Sequence, residues 1–285
     1  MGQAAAALRG SVADRAIVHQ IIAGTARGPG LRMALFNAPD RVPRAVLHPT
    51  TSHSVPHTMV NAAVLALRTA GHLGPITTPA LTPEEVHGFR QAGFSDVASL
   101  LLFRLGLQEI ERRDEIVPAV PSLPGLRIVG LPRRSSPKRA WLDAALGVDH
   151  AAFPSGEHFD ELSIDEALRA TPRRSVRFAV RPHTERNQPG QVIGYAITGR
   201  AGRRSYLQRL AVRPEFAGQG VGAALCADSI RWARAGQASV LAVNTRVDNA
   251  RAAALYERMG FEPVSGGLVV LGVAAIGSDS NGQTT

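Results

Sequence analysis

The stretch that decides the reading is residues 207–225, LQRLAVRPEFAGQGVGAAL. A strand-like apolar run leads through a glycine-rich turn into an alanine-rich segment of helical character. Gly218, Gly220 and Gly222 alternate at the join. A turn of this kind at a helix start aims successive backbone N–H groups at an anion. Glycine suits it because a side chain would block the ligand and because the turn needs unusual dihedrals. Three phosphate readings compete. Gly218, Gly220 and Ala223 satisfy the G-x-G-x-x-A dinucleotide pattern, but where an acid is expected about 20 residues on, the chain reads QASVL. A Walker loop needs Gly-Lys followed by Ser or Thr, and this turn holds no lysine. The third reading is a cradle in which backbone N–H groups at the helix start hold a pyrophosphate.

Downstream, SVLAVNT reads as a strand. The last helix is expected to open at Asp248 as N-cap and to stop at Gly260, with Ala252, Leu255, Tyr256 and Met259 on its apolar face. In the preceding helix Val221, Ala224, Leu225 and Trp232 share one side while Cys226 and Ile230 lie on the other, which predicts cover on both sides. The last hundred residues therefore read strand, strand, strand, helix, strand, helix, strand.

These residues carry a resemblance. LQRLAVRPEFAGQGVGAALCADSIRWA followed by VLAVNTRVDNARAAALYERMGF is similar to the GNAT superfamily of acyl-CoA-dependent N-acetyltransferases. The likeness is good over residues 190–273 and loose over 124–189. It implies an α/β mixed-sheet fold, acetyl-CoA as co-substrate and no metal. It also implies that the backbone near Leu210 and Val212 holds the pantetheine arm, and that Gly218, Gln219, Gly220, Val221, Gly222 and Ala223 hold the diphosphate. Asn244 and Asn249 would contact the coenzyme, and Tyr256 would protonate the departing thiolate. One residue departs from the family pattern: Ala217 stands where Gln or Arg is usual. For the amine's proton the candidates are Glu215, Asp160, Glu161, Asp165 and Glu166, reached by elimination. The acceptor is left open among small amines, antibiotics, amino-acid derivatives and protein amines. A non-catalytic acyl-CoA-binding or regulatory module is the alternative.

The first half repeats the order strand, helix, strand, helix, strand. RAVLHPTTSHSVPHTMVNAAVLAL stands against the glycine segment, with Pro49 opposite Pro214. EEVHGFRQAGFSDVASLLLF stands against the last helix, with Gly93-Phe94 opposite Gly260-Phe261 and Phe89 opposite Tyr256. The glycines are replaced by TSHSVPH, in which Pro56 removes an N–H. The expected organisation is a degenerate GNAT-like domain without a coenzyme site at 1–115 and a linker at 116–124. A catalytic domain at 125–275 and a disordered tail at 276–285 follow.

Other elements are expected as a helix at 11–24, strands at LRMALF and RAVLHP, and helices at HTMVNAAVLALRTAG and TPEEVHGFRQAGF, the latter with Pro83 in its first turn. DVASLLLFRLGL, LRIVGL, SVRFAVR and QVIGYAITG read as strands, and PKRAWLDAALGVDHAAF and SIDEALRAT as helices.

The bulk numbers set limits. The 285 residues suffice for two domains, and 45% hydrophobic content is that of a globular chain. One cysteine, Cys226, excludes an internal disulfide framework and is read as a packing residue. No apolar run reaches the roughly 18 residues of a membrane span. Arg9, Asp14 and Arg15 interrupt any signal-like core, so the expectation is cytoplasmic with no membrane partner. The net charge is +9, but the arginines are scattered along the chain and aromatics make up 5%, so nucleic acid is not expected as a partner. Homo-oligomerisation is left open.

Overall fold

Alternating apolar runs separated by glycine and proline turns give strands, and longer runs of alanine and leucine give the helices between them. The computed structural model describes residues 20–22, 30–36, 43–50, 54–108, 124–131, 138–155, 157–181 and 190–276. The expected linker at 116–124, except Pro124, the tail beyond 276 and most of the expected first helix lie outside these residues. The part of that helix that is described, Gln20–Ile22, is strand β1, paired antiparallel with β2 (Leu31–Phe36). Residues form two units: one of residues up to Leu100 and from Ser265 on, the other Leu101–Val264. Both differ from the contiguous sequence-based ranges.

In the first unit β2 pairs antiparallel with β3 (Arg44–Pro49), and β3 pairs parallel with the short β4 (Ile76–Thr77). Helix α1 (His57–Thr69) makes the crossover, burying Val60, Ala63 and Leu67 at helical spacing. Strand β11 (Glu262–Val273) lies antiparallel to β4, so the end of the chain completes the sheet begun by its start. The helix expected over 82–94 is shorter: α2 spans His87–Gln91. Thr82 donates from its N–H and its hydroxyl to Glu85 Oε2, at 2.8 and 3.0 Å, closing a turn ahead of the helix. Strand β5 (Ser95–Gly106) follows.

In the second unit β6 (Arg127–Gly130), β7 (Arg173–Arg181), β8 (Gln191–Ala201) and β9 (Arg204–Val212) are successive antiparallel neighbours. Strand β10 (Val240–Arg246) then pairs parallel with β9. Helices α3 (Lys138–Ala152) and α4 (Glu161–Arg169) cover one face, around Phe178, Tyr195, Ile197 and Ala211. Helices α5 (Val221–Ala235) and α6 (Ala250–Arg258) belong to a separate core around Leu207, Leu241 and Val243. Both expected sides of α5 are buried, with Val221 and Leu225 on one and Cys226 and Ile230 on the other. No helix among the described residues is long and apolar enough to cross a membrane.

The two units end their last helix in the same way. Gly93 has φ +84° and Gly260 φ +83°. Phe94 N–H donates to Phe89 O at 3.1 Å, and Phe261 N–H donates to Tyr256 O at 3.0 Å. This 6→1 closure with a left-handed glycine satisfies the last helix carbonyls. Phe89 meets Phe94 edge-on at 5.4 Å, and Tyr256 meets Phe261 at 5.8 Å. Phe89 and Tyr256 thus occupy the same station in two copies of one motif.

Helix α2 also sits hard against the entry to α1. A Cβ on Gly88 would lie 1.6 Å from Val55 O. Gly88→Ala is therefore expected to destabilise the first unit by about 1–3 kcal/mol, because backbone must move. Chemical denaturation would show this, and an unchanged midpoint would contradict the contact.

Candidate functional site

Strand β9 is bonded on both sides only at its start. Its parallel register with β10 runs from Arg204↔Val240 to Leu207↔Val243, while both strands continue beyond. On the other side the β8 register jumps from Thr198↔Leu207 to Ile197↔Arg209, leaving Gln208 as an extra residue. Such a β-bulge bends its strand and reverses the in–out alternation. Leu207 faces the α5 core, and so do Leu210 and Val212, whereas Arg209 and Ala211 face α3 and α4. The opening between β9 and β10 therefore begins at Gln208 on one strand and at Asn244 on the other.

The glycine turn follows. Pro214–Phe216 form one 3₁₀ turn, anchored by buried Phe216. Gly218 and Gly220 take φ +77° and +81°, which glycine alone adopts without strain. A Cβ on Gly218 would meet nothing, whereas one on Gly222 would touch Leu255 at 3.4 Å and Leu210 and Val212 at 3.8 Å. The start of α5 thus lies against the free stretch of β9. Gly220 is its N-cap, with no side-chain capping bond and no acid in the first turn. The first N–H groups of a helix have no intrahelical partner, so Val221, Gly222 and Ala223 present amides and a positive helix end here. Gln219 folds back, its Nε2 donating to Glu215 O at 2.9 Å.

Asn249, rather than Asp248, is the N-cap of α6, its Oδ1 accepting from Ala252 N–H at 3.0 Å. Asp248 is instead held by Arg246, at 2.9 Å to Nε and 2.8 Å to Nη2. Capping consumes one face of the Asn249 amide and leaves its NH₂ group. Tyr256 is 5% exposed, between Phe103 and Phe261 at 5.9 and 5.8 Å. Among the described residues its hydroxyl has no hydrogen-bond partner. Burial raises its pKa well above 10, so the phenol keeps its proton at neutral pH. Cys226 is buried and its thiol is pushed up to about 12, which suits packing and not a thiolate.

Opposite the turn lies a network that the sequence reading missed. Asp149 of α3 is fully buried. Arg209 grips it in a fork, Nε to Oδ2 at 2.7 Å and Nη2 to Oδ1 at 2.8 Å. Tyr195 OH donates to Asp149 Oδ2 at 2.6 Å, and Phe159 N–H to Oδ1 at 2.7 Å. The Arg209 guanidinium lies 3.5 Å from the Phe153 ring and 4.1 Å from that of Phe159, a stacked cation. Arg209 also donates to Glu157 O at 2.8 Å, and Glu157 Oε1 accepts from Arg246 at 2.7 Å. The α3–α4 loop is thereby tied to β9 and to the end of β10, on either side of the opening. Asp149 and Arg209 are 60 residues apart, and no local pattern joins them.

The acids named by elimination are mostly engaged elsewhere. Asp160 caps α4 by accepting from Ser163, Glu161 pairs with Arg139 at 2.6 Å, and Asp165 pairs with Arg169 at 2.8 Å. Glu215 is exposed beside Arg213.

The GNAT acetyltransferase family model matches residues 144–261. Over these residues the chain resembles the GNAT acetyltransferases. That span runs from α3 through the bulge, the glycine turn and α6 to Phe261, and the family uses acetyl-CoA as co-substrate. Among solved structures the chain is similar to a tandem GNAT protein from the clavulanic acid biosynthesis pathway. The identity is 17%, over 97% of this chain and 89% of that one, with TM-score 0.61. A GCN5-related N-acetyltransferase from Kribbella flavida is 18% identical over 97% and 95%, with TM-score 0.56. One from Sphaerobacter thermophilus is 13% identical over 86% and 76%, with TM-score 0.54. At these identities the likeness is one of fold, and the fold is that of a tandem GNAT chain. No curated protein sequence matches the chain.

Within the GNAT domain, Asp149 yields a stability prediction. Burial alone would raise its pKa, but the Arg209 guanidinium outweighs burial and holds the carboxyl below its ordinary value. A depressed folded pKa contributes stability above the unfolded value of about 3.9, and the contribution is lost as pH falls through the lower folded value. Asp149→Asn strands the Arg209 charge and is expected to cost about 3–5 kcal/mol at neutral pH. The gap to wild type should shrink below about pH 3.9. Urea unfolding at both pH values tests this, and a neutral-pH loss under about 1 kcal/mol would contradict it.

Proposed function

We propose that the chain transfers acetyl from acetyl-CoA to a primary amine by direct attack, using one coenzyme site per chain. The observation that carries this is the meeting of three features: the free stretch of β9, the two left-handed glycines and the uncapped start of α5. In this reading the backbone at Leu210 and Val212 holds the pantetheine arm. The amides of Gly218 to Ala223 hold the diphosphate, and Asn244 and the free NH₂ of Asn249 contact the arm. A backbone N–H of β9 stabilises the oxyanion as the amine adds to the thioester carbonyl. The neutral amine adds and the C–N bond forms; the nitrogen's surplus proton passes to solvent water, the C–S bond breaks, and Tyr256, reprotonated afterwards from solvent, supplies the proton that the thiolate takes. A buried phenol that is protonated at neutral pH is suited to that role.

Glu157 is tied to both strands at the opening, by its carbonyl to Arg209 and by its carboxylate to Arg246, and we assign it to the amine side. Its carboxylate accepts from Arg246 and offers a negative group to a cationic acceptor.

In the first unit Pro56 is the N-cap of α1, and the Gly88 N–H is bonded to Ser54 Oγ at 3.2 Å. Pro56 offers no N–H to an anion and the Gly88 backbone lies against Val55 O, which supports a first copy without a coenzyme site. Ala217 favours the second reading, a binder without turnover, since a side chain usual at the diphosphate is lacking.

Calorimetric titration with acetyl-CoA, beside NADH as control, is expected to give one acetyl-CoA site per chain and no heat with NADH. Two sites would refute the closed first copy, and none would refute the cradle. Gly220→Asp should abolish binding, because it puts a carboxylate and a strained φ of +81° at the anion position. Tyr256→Phe should leave binding intact and lower turnover at least about tenfold in an amine screen. An unchanged rate would return Tyr256 to a packing role, and binding without turnover of any amine would favour the second reading.

A further inference from the structure

The arginines are scattered in the sequence, but strand register gathers them at one end of the second unit's sheet. Arg173 of β7 stands directly opposite Arg200 of β8, and Arg174 follows Arg173. Across the β8–β9 turn come Arg203 and then Arg204, whose register partner is Ala201. Arg173, Arg174, Arg203 and Arg204 are exposed, and among the described ion pairs none of them has an acid. The nearby acid Asp228 of α5 is already shared by Arg177 at 2.9 Å and Arg231 at 3.3 Å.

Like charges placed directly opposite on a sheet are destabilising unless something of opposite sign neutralises them. The C-terminal end of α5 does so in part. Arg200 lies against Gly236, just past that helix, where carbonyls carry partial negative charge; a Cβ on Gly236 would be 2.7 Å from Arg200 Nε. That accounts for Arg200 and leaves the exposed cations uncompensated. Neighbouring strands lie about 4.8 Å apart, so β7 to β9 present a cationic rim roughly 10 Å wide.

We propose that this rim binds the phosphate backbone of a nucleic-acid duplex. Guanidinium groups match phosphate oxygens as paired donors. The exposed large apolar residues of the described chain are Leu65, Leu73, Val97, Val247 and Ile276, none of them on the rim, so it lacks the apolar face of a bilayer-binding surface. No exposed aromatic side chain interrupts it, so it lacks a platform for stacking single-stranded bases. What remains is sequence-independent contact with a charged backbone, by a chain of net charge +9. The proposal is independent of the acetyl-transfer reading, because it uses the end of β9 away from the glycine turn.

The test is fluorescence anisotropy of a short labelled RNA duplex and of a DNA duplex, each of random sequence, across a salt series with the full chain. Binding is expected to weaken with salt as a linear log–log slope. In the combined variant Arg173→Gln, Arg203→Gln, Arg204→Gln, the slope should fall by roughly 2–3, about 0.9 per lost phosphate contact. Arg139→Gln, which removes an exposed arginine on α3, is the control and should change it little. Unfolding midpoints of both variants show that they are folded; if the combined variant fails to fold, Arg203→Gln alone should lower the slope by about one. Equal slopes for the rim variant and wild type would overturn the proposal. So would an Arg139→Gln effect as large as that of the rim variant, or retention on vesicles containing anionic lipid with no duplex binding.

Discussion

One extra residue in one strand organises the second unit. Gln208 bulges β9 against β8, and at the same point β9 parts from β10. A parallel pair that stayed bonded to the end of both strands would satisfy the β9 backbone and leave nothing for a ligand to complete. The bulge also turns the next side chains over, so that Leu210 and Val212 meet α5 while Arg209 reaches the opposite layer. Without that reversal Arg209 would enter the apolar core under α5, where a lone cation is far more costly than an apolar side chain.

The two faces at this point have different physics. On one, short side chains let a helix start approach the strand, and the polar groups offered are backbone amides. On the other, a buried carboxylate and a guanidinium are fixed by a fork, by a tyrosine hydroxyl and by two stacked rings. Such a pair is rigid because neither partner can leave without stranding a charge. The α3–α4 loop inherits that rigidity through the Glu157 carbonyl.

Much of this was legible in the sequence, and what was not has physical reasons. The glycine turn and the Tyr256–Phe261 ending are local motifs, and local motifs survive reading in one dimension. Strands such as Arg44–Pro49 and the helix from His57 fell where patterning put them. Residues 20–22 fall in the stretch read as a helix over 11–24 but are strand, because a short apolar run near a sheet edge takes its conformation from the neighbour it pairs with. The helix expected from Thr82 starts at His87, because Thr82 and Glu85 close a turn of their own first. The N-cap passed from Asp248 to Asn249 because Arg246 claims the aspartate. The Asp149–Arg209 pair and the arginine rim are products of register and topology, to which spacing along the chain is blind.

The division of the chain into units has a consequence for its synthesis. The first unit counts β4 among its strands, yet the partner of β4, β11, begins at Glu262. A ribosome adding roughly 5–20 residues per second finishes the early strands on the order of ten seconds or more before that partner is made. During this interval β4 has one edge without its strand, an opening to wrong pairing. The second unit, continuous from Leu101 to Val264, is complete once Val264 is made. The half that starts first is therefore the half that finishes last.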